Sequence, residues 1–163
     1  MKQELVDIIW AQWKATKACA EEECRQRNLD NLADKYRSCD MFKGNETIEK
    51  IASLYKSTRG MEFCLTYHFP SIETLRMFKQ DNPEQYGIYI DAGVVDISNP
   101  TDKVLLIGNT AGRVTCTDTR RYKIAVLHGA TAVINASGWA VVAPEVESGC
   151  SVIKNIKDNA IIL

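Results

Sequence analysis

His128 is the residue of this sequence whose type best suits general acid-base chemistry, because an imidazole titrates near neutral pH. It lies in His128-Gly129-Ala130, which separates two apolar segments and is therefore predicted to form a turn. No partner acid, base or nucleophile stands at a spacing that would complete a catalytic set. We therefore expect His128 to pack in a turn, and we predict no catalytic residue.

A catalytic alternative for His128 comes from acyltransferases built on left-handed β-helices, which use a histidine near a turn as general base. Those enzymes repeat on a strict hexapeptide period. Here the apolar segments recur at intervals of 8 to 11 residues, and no long loop is available to build an acceptor pocket. The acyltransferase-like enzyme is the second hypothesis, and acyl-CoA binding by a His128 variant would test it.

The only basic cluster in the second half of the chain consists of Arg120, Arg121 and Lys123, with Tyr122 among them, and we expect it to be a surface loop. Such a loop suits an anionic partner or a glycan. Trp139 and Tyr122 are the aromatic residues that we expect to be exposed for stacking on a sugar. A glycan-binding module is the third hypothesis, and the predicted binding set consists of Arg120, Arg121, Tyr122, His128 and Trp139.

Metal and cofactor sites are not indicated by the spacing of the ligand-type residues. Cys19 and Cys24 are five positions apart, about 140° around a helix, so their thiols face different directions. No regular series joins the scattered aspartates into a calcium loop. We expect six reduced, mostly buried cysteines, no metal and no cofactor.

The charge balance argues against nucleic acid as a partner. The chain has 163 residues, with 20 Lys and Arg against 21 Asp and Glu and a formal charge of −1. No apolar run approaches the length of a membrane span, and the first residues are amphipathic, unlike a signal peptide. We expect a cytoplasmic protein, or a virion component if a phage encodes it, with no nucleic-acid or membrane partner.

Composition divides the chain at Gly87. Residues 1–86 hold 27 charged residues and six Val or Ile, whereas residues 87–163 hold 14 charged residues and 20 Val or Ile. The first part predicts helices near 3–27 and 30–38, one capped by Asn45 and ended or bent at Gly60, and one capped by Ser71. We predict an α+β fold with a helical subdomain over 1–86 and a β subdomain over 87–163.

Apolar triplets recur through the β half, each after a glycine or asparagine. They are Ala132-Val133-Ile134, Ala140-Val141-Val142, Ser151-Val152-Ile153 and Ala160-Ile161-Ile162. About eight short strands at such spacing predict a short β-solenoid, with a β-sandwich, barrel or jelly roll as the alternative. In the solenoid we expect one buried ladder, formed by Val133, Val141, Val152 and Ile161, and no long helix after Val94.

The last residues, Ile161, Ile162 and Leu163, are apolar, and a solenoid whose final coil is uncovered exposes backbone edge and core. We therefore predict a homo-oligomer, a dimer or a trimer, with these three residues at the contact. The alternative is that the last strand completes the core of its own chain.

The β half also resembles a group of small proteins from gut Bacteroidetes and their phages or mobile elements. The resemblance covers residues 60–163 and rests on Phe63-Cys64, His68-Phe69-Pro70, Tyr86-Gly87-Ile88-Tyr89-Ile90-Asp91-Ala92-Gly93, Leu106-Ile107-Gly108-Asn109-Thr110, His128-Gly129-Ala130 and Ala136-Ser137-Gly138-Trp139-Ala140. It implies a helical head, a short β-solenoid tail and a mobile-element setting, and no activity. The first hypothesis is a non-enzymatic structural or interaction protein that presents a solenoid face to a protein partner.

Overall fold

The computed structural model describes residues 2–163, and Met1, the first residue of the predicted helical subdomain, lies outside them. Five helices come first: α1 Lys2–Gln26, α2 Asp30–Arg37, α3 Ile48–Lys56, α4 Thr58–Tyr67 and α5 Ile72–Phe78. Two 3-10 turns follow, at Lys79–Asp81 and Pro83–Tyr86. The chain forms two compact units, one up to Met77 and one over Phe78–Leu163. The change from helix to strand falls between Tyr86 and Ile88, where composition predicted it.

The helical unit is organised around Trp13, which is buried on the apolar stripe of α1. Its ring meets that of Phe63 edge to face, with centroids 4.6 Å apart, and those of Phe42 and Phe69 at 5.8 Å each. Aromatic rings bury large apolar areas, and this cluster therefore supplies much of the burial that holds the helices together. None of the helices within residues 2–163 has both the length and the apolar character needed to cross a membrane.

Two details of the helical unit differ from the prediction. The cap of α3 is Thr47, whose Oγ1 accepts the Lys50 amide at 3.2 Å, and not Asn45. Gly60 neither ends nor bends a helix but lies inside α4, where a Cβ would come within 2.0 Å of the Leu54 carbonyl oxygen. Gly60 is therefore required by the close approach of two backbones, which the sequence pattern does not reveal.

The second unit is a β-solenoid, as predicted, and the sandwich alternative is not what the chain adopts. Its strands are β1 Ile88–Ile90, β2 Gly93–Ser98, β3 Val104–Ile107, β4 Thr110–Cys116, β5 Arg121–Leu127, β6 Thr131–Ala136, β7 Val141–Val146, β8 Ser151–Ile156 and β9 Ile161–Ile162. Odd-numbered strands form one parallel sheet, here called the first sheet, and even-numbered strands form another, the second sheet. Two strands therefore make one coil, and the described residues after Val94 contain no helix.

Successive coils are in register at an offset of 20 residues, as in the pairing of Val104 with Ile124 in the first sheet. The second sheet has the same offset, since Thr131 pairs with Ser151. Only the first coil is shorter, because Ile88 pairs with Leu105. The interior residues stack in columns across the strands, and these columns consist mainly of Val, Ile and Ala.

The predicted buried ladder is wrong. Val133 pairs with Ile153 and not with Val152, and Val141 lies in the other sheet, where it pairs with Ile161. Val133 and Val141 point outward, since their neighbours Ile134 and Val142 are fully buried and strand side chains alternate. The prediction treated the same position of every triplet as stacked on the next. Successive strands belong to opposite sheets, however, so a residue of these triplets stacks only on the residue 20 positions further along the chain.

Candidate functional site

His128 lies in the turn between β5 and β6, in a left-handed conformation with φ of 52°. Its backbone amide donates to Oε2 of Glu147, a carboxylate that is buried in the next coil. The Gly129 amide donates to Sγ of Cys150 at 3.2 Å, and burial raises the pKa of that thiol. This turn is thus held to the following coil through the backbone amides of His128 and Gly129.

Arg120 and Tyr122 lie where the chain turns from β4 into β5, and both are engaged within the solenoid. Tyr122 is 2% exposed, and its hydroxyl donates to Oδ1 of Asn99 at 2.8 Å while accepting the Asp118 amide. The guanidinium of Arg120 donates to the Asn99 carbonyl and lies over the Tyr122 ring, 4.8 Å from its centroid. The expectation that Tyr122 is an exposed stacking surface is wrong, because the hydroxyl finds its partners inside the turn.

Arg121 and Trp139 remain accessible. Arg121 is exposed on the outer side of β5, directly beside Val141 in the next coil. Trp139 lies in the turn between β6 and β7 and is 64% exposed. Of the predicted aromatic pair, only Trp139 could therefore contact a partner through its ring.

The three predicted contact residues do not face the same way. Ile161 is 52% exposed and Leu163 is 62% exposed, whereas Ile162 packs against the solenoid core. The backbone of this segment continues the first sheet, since the amides of Ile161 and Leu163 donate to the carbonyls of Ala140 and Val142 at 2.9 Å. The outward side chains of Val141, Ile161 and Leu163 form a small apolar surface, here called the terminal patch.

The outer face of the second sheet is a second accessible surface, and the sequence prediction did not include it. It holds a groove of about 440 Å³. The outward-facing residues that line this groove are small, aliphatic or basic, and they are Val94, Ala111, Arg113, Thr131, Val133, Ser151 and Ile153. A smaller groove of about 250 Å³ lies beside it, lined by Thr115, Asn135, Ala136, Ser137, Asn155 and Lys157. The only feature of the sequence that could have predicted this surface is the alternation of inward and outward side chains along each strand, and the apolar triplets obscure it.

Polar side chains tie neighbouring coils together along this outer face. The Asn155 amide donates to Oδ1 of Asn135 at 2.8 Å, and Arg113 lies 3.2 Å from an oxygen of Asp96. Both pairs join residues that are partners in the parallel register. Because both pairs are exposed to solvent, they stabilise the sheet only modestly, and their side chains remain accessible to a partner.

No family model matches the chain. No curated protein and no solved structure matches it either. Within residues 2–163, no three His, Cys, Asp or Glu side chains are grouped so that they could hold a metal ion.

Proposed function

We propose that this chain is a non-enzymatic interaction protein and that its solenoid associates with a second copy through the terminal patch. The observation that carries the proposal is the outward exposure of Ile161 on β9 and of Leu163, which directly follows that strand. Ile161 extends the outer row that contains Val141 in the preceding coil. Exposed aliphatic side chains in a row lose contact with water when they meet a second apolar surface, which favours association.

A second copy fits the terminal patch because two-fold contacts are self-complementary. A symmetry axis through the patch places Ile161 and Leu163 of one protomer against the same residues of the other. Arg121 and Lys123 flank the patch on β5, two strands away from β9, so they lie at the rim of this contact. A polar rim around an apolar centre is the usual arrangement in a protein interface. A dimer is the assembly that this geometry favours over a trimer.

The other hypotheses have less support. In a glycan-binding module Trp139 could still stack on a sugar, whereas Tyr122 could not because it is buried. The acyltransferase-like alternative belongs to enzymes with a strict hexapeptide period, whereas successive coils here repeat at 20 residues. The phage or mobile-element setting rests on the resemblance of the β half; phage structural genes on both sides of this gene would support it.

Light scattering on the full chain tests the self-association. We expect the wild type to have the mass of a dimer at tens of micromolar, and the Ile161→Asp/Leu163→Asp variant to be a monomer with unchanged circular dichroism. Val94→Asp is the matched control, because Val94 is 76% exposed on the opposite sheet. That control should retain the wild-type mass.

A wild type that is strictly monomeric over the same concentrations would overturn the contact. So would a dimer that survives both aspartate substitutions, because the charges would have to be desolvated in the interface at a large cost.

A further inference from the structure

β8 is an edge strand of the second sheet as the structure describes it, since the order of that sheet ends with β8. The free side of such a strand carries unpaired N–H and C=O groups that can pair with a strand of another chain. Its sequence, Ser-Val-Ile-Lys-Asn-Ile, is otherwise well suited to pairing, because Ile153 and Ile156 are exposed and strongly β-forming. The edge should therefore be prone to add a strand unless something opposes it.

Lys154 occupies an inward position on this strand. The parallel register aligns it with Ile134 of β6, which is aligned with Val114 of β4, and both of these residues are fully buried in the solenoid core. The column thus runs from branched aliphatic residues to a lysine at its last member. Since strand side chains alternate, the ammonium group starts from the core side of the sheet.

The side chain of Lys154 crosses from one sheet to the other. Its Nζ donates to the Leu163 carbonyl oxygen at 3.1 Å, and the Leu163 amide in turn donates to Val142 of the first sheet. The aliphatic stem of a lysine can cover apolar surface while its charged end stays in water. Lys154 therefore spans the last coil at the level where the core would otherwise continue.

We propose that Lys154 closes the edge of the second sheet to strand addition by a second copy of this chain. An added strand that keeps its apolar side chains over the core would cover the Lys154 ammonium and strip it of water. If two copies paired through β8 about a two-fold axis centred on Lys154, the two ammonium groups would lie directly opposite each other, which is unfavourable. Shifting the register to avoid this places each ammonium against Val152 or Ile156 of the partner strand.

This closure concerns a different surface from the terminal patch. The patch is formed by side chains of the first sheet, whereas the closed edge is the backbone of β8 in the second sheet. The two proposals can therefore fail separately. If both hold, the chain associates side by side through the first sheet and does not extend end to end.

The test is Lys154→Ile, which continues the aliphatic column, compared with Lys154→Arg, which keeps the charge. Each is made in the wild type and in the Ile161→Asp/Leu163→Asp background, so that the terminal patch cannot account for the result. We expect Lys154→Ile to raise the molecular mass, measured by light scattering, at least about twofold over that of the background in which it is made. It should also slow amide hydrogen exchange in residues 151–156. Lys154→Arg should change neither quantity.

A third variant, Lys154→Ile/Ile156→Lys, returns the charge to the next inward position of the same strand. It should restore the mass of the background. Aggregation of Lys154→Ile counts as edge association only if this variant reverses it. The proposal is overturned if Lys154→Ile keeps the mass of its background or fails to fold, or if the relocated lysine does not reverse the assembly.

Discussion

Lys103 Nζ lies 2.8 Å from Oε1 of Glu145, although 42 positions separate the two residues in the chain. Lys103 directly precedes β3 and Glu145 belongs to β7, so the ion pair spans the intervening strand β5 of the first sheet. The lysine side chain is only 7% exposed and that of the glutamate is 35% exposed. The pair therefore joins two coils that share no backbone hydrogen bonds.

Replacing Glu145 with glutamine should destabilise the protein, because it leaves the Lys103 ammonium buried without its counter-charge. We expect a loss of about 2–3 kcal/mol in the free energy of unfolding, less than for a fully buried pair because Glu145 is partly solvated. Urea denaturation monitored by circular dichroism measures the difference. The double variant Lys103→Met/Glu145→Leu should recover most of the loss, since no charge is then left unpaired. An undiminished loss in that double variant would show that the ion pair is not the cause.

Adjacent valines of β7 should respond very differently to aspartate. Val142 points into the core and is fully buried, so Val142→Asp buries an unpaired carboxylate and should cost about 4 kcal/mol or more. Val141 points outward on the terminal patch, so at a protein concentration low enough to keep the chain monomeric Val141→Asp should cost less than about 1 kcal/mol. Thermal unfolding of the two variants compares the positions directly. Equal losses would contradict the side-chain directions given by the register.

Tyr36 should make the stability of the helical unit depend on alkaline pH. Burial, together with the hydrogen bond that the hydroxyl donates to Oε1 of Glu62 at 2.7 Å, raises the pKa of Tyr36 to about 12. The unfolded chain ionises near its ordinary pKa of about 10. The unfolded state therefore loses its proton first, so this contribution to stability is complete below about pH 10 and is lost as pH rises towards 12.

The measurement is urea denaturation at pH 8 and pH 11, with Tyr36→Phe as the comparison. The wild type should lose more stability between the two pH values than the variant does, because phenylalanine cannot ionise. Identical pH dependence would remove Tyr36 as a source. Tyrosinate absorbance on titration gives an independent readout, with one late-ionising group fewer in the variant.

The elements of this fold were largely predictable because their signals are local. The amphipathic spacing of Ile9 and Trp13 marks α1, and the turns at Gly129 and Gly149 punctuate the strands at positions that adopt positive φ. The cap of α3 was missed because Asn45 and Thr47 are both good capping residues and their spacing to the helix differs by only two positions. Local preference thus predicts an element more reliably than its first residue.

The accessible surfaces were less predictable, because exposure depends on which side of a strand a residue occupies. Tyr122 looked like a loop aromatic beside two arginines, yet it begins an inward column and its hydroxyl meets Asn99 in the preceding coil. Lys154 was not among the predicted site residues, and only the register shows that it is aligned with the buried Ile134. A shift of one residue in register reverses both conclusions.

The sequence by itself determined that a charged helical half precedes a β-branched half and that short strands repeat between glycine and asparagine turns. It could do so because helix periodicity, β-branching and positive-φ turns act over a few residues. Only the tertiary structure decided that two strands close each coil and that successive coils repeat at 20 residues. In a triplet such as Ala132-Val133-Ile134 every residue is apolar, so burial alone cannot choose the inward side. The choice is made when the two sheets face each other across one core, which turns Ile134 inward and leaves Val133 on the outer face.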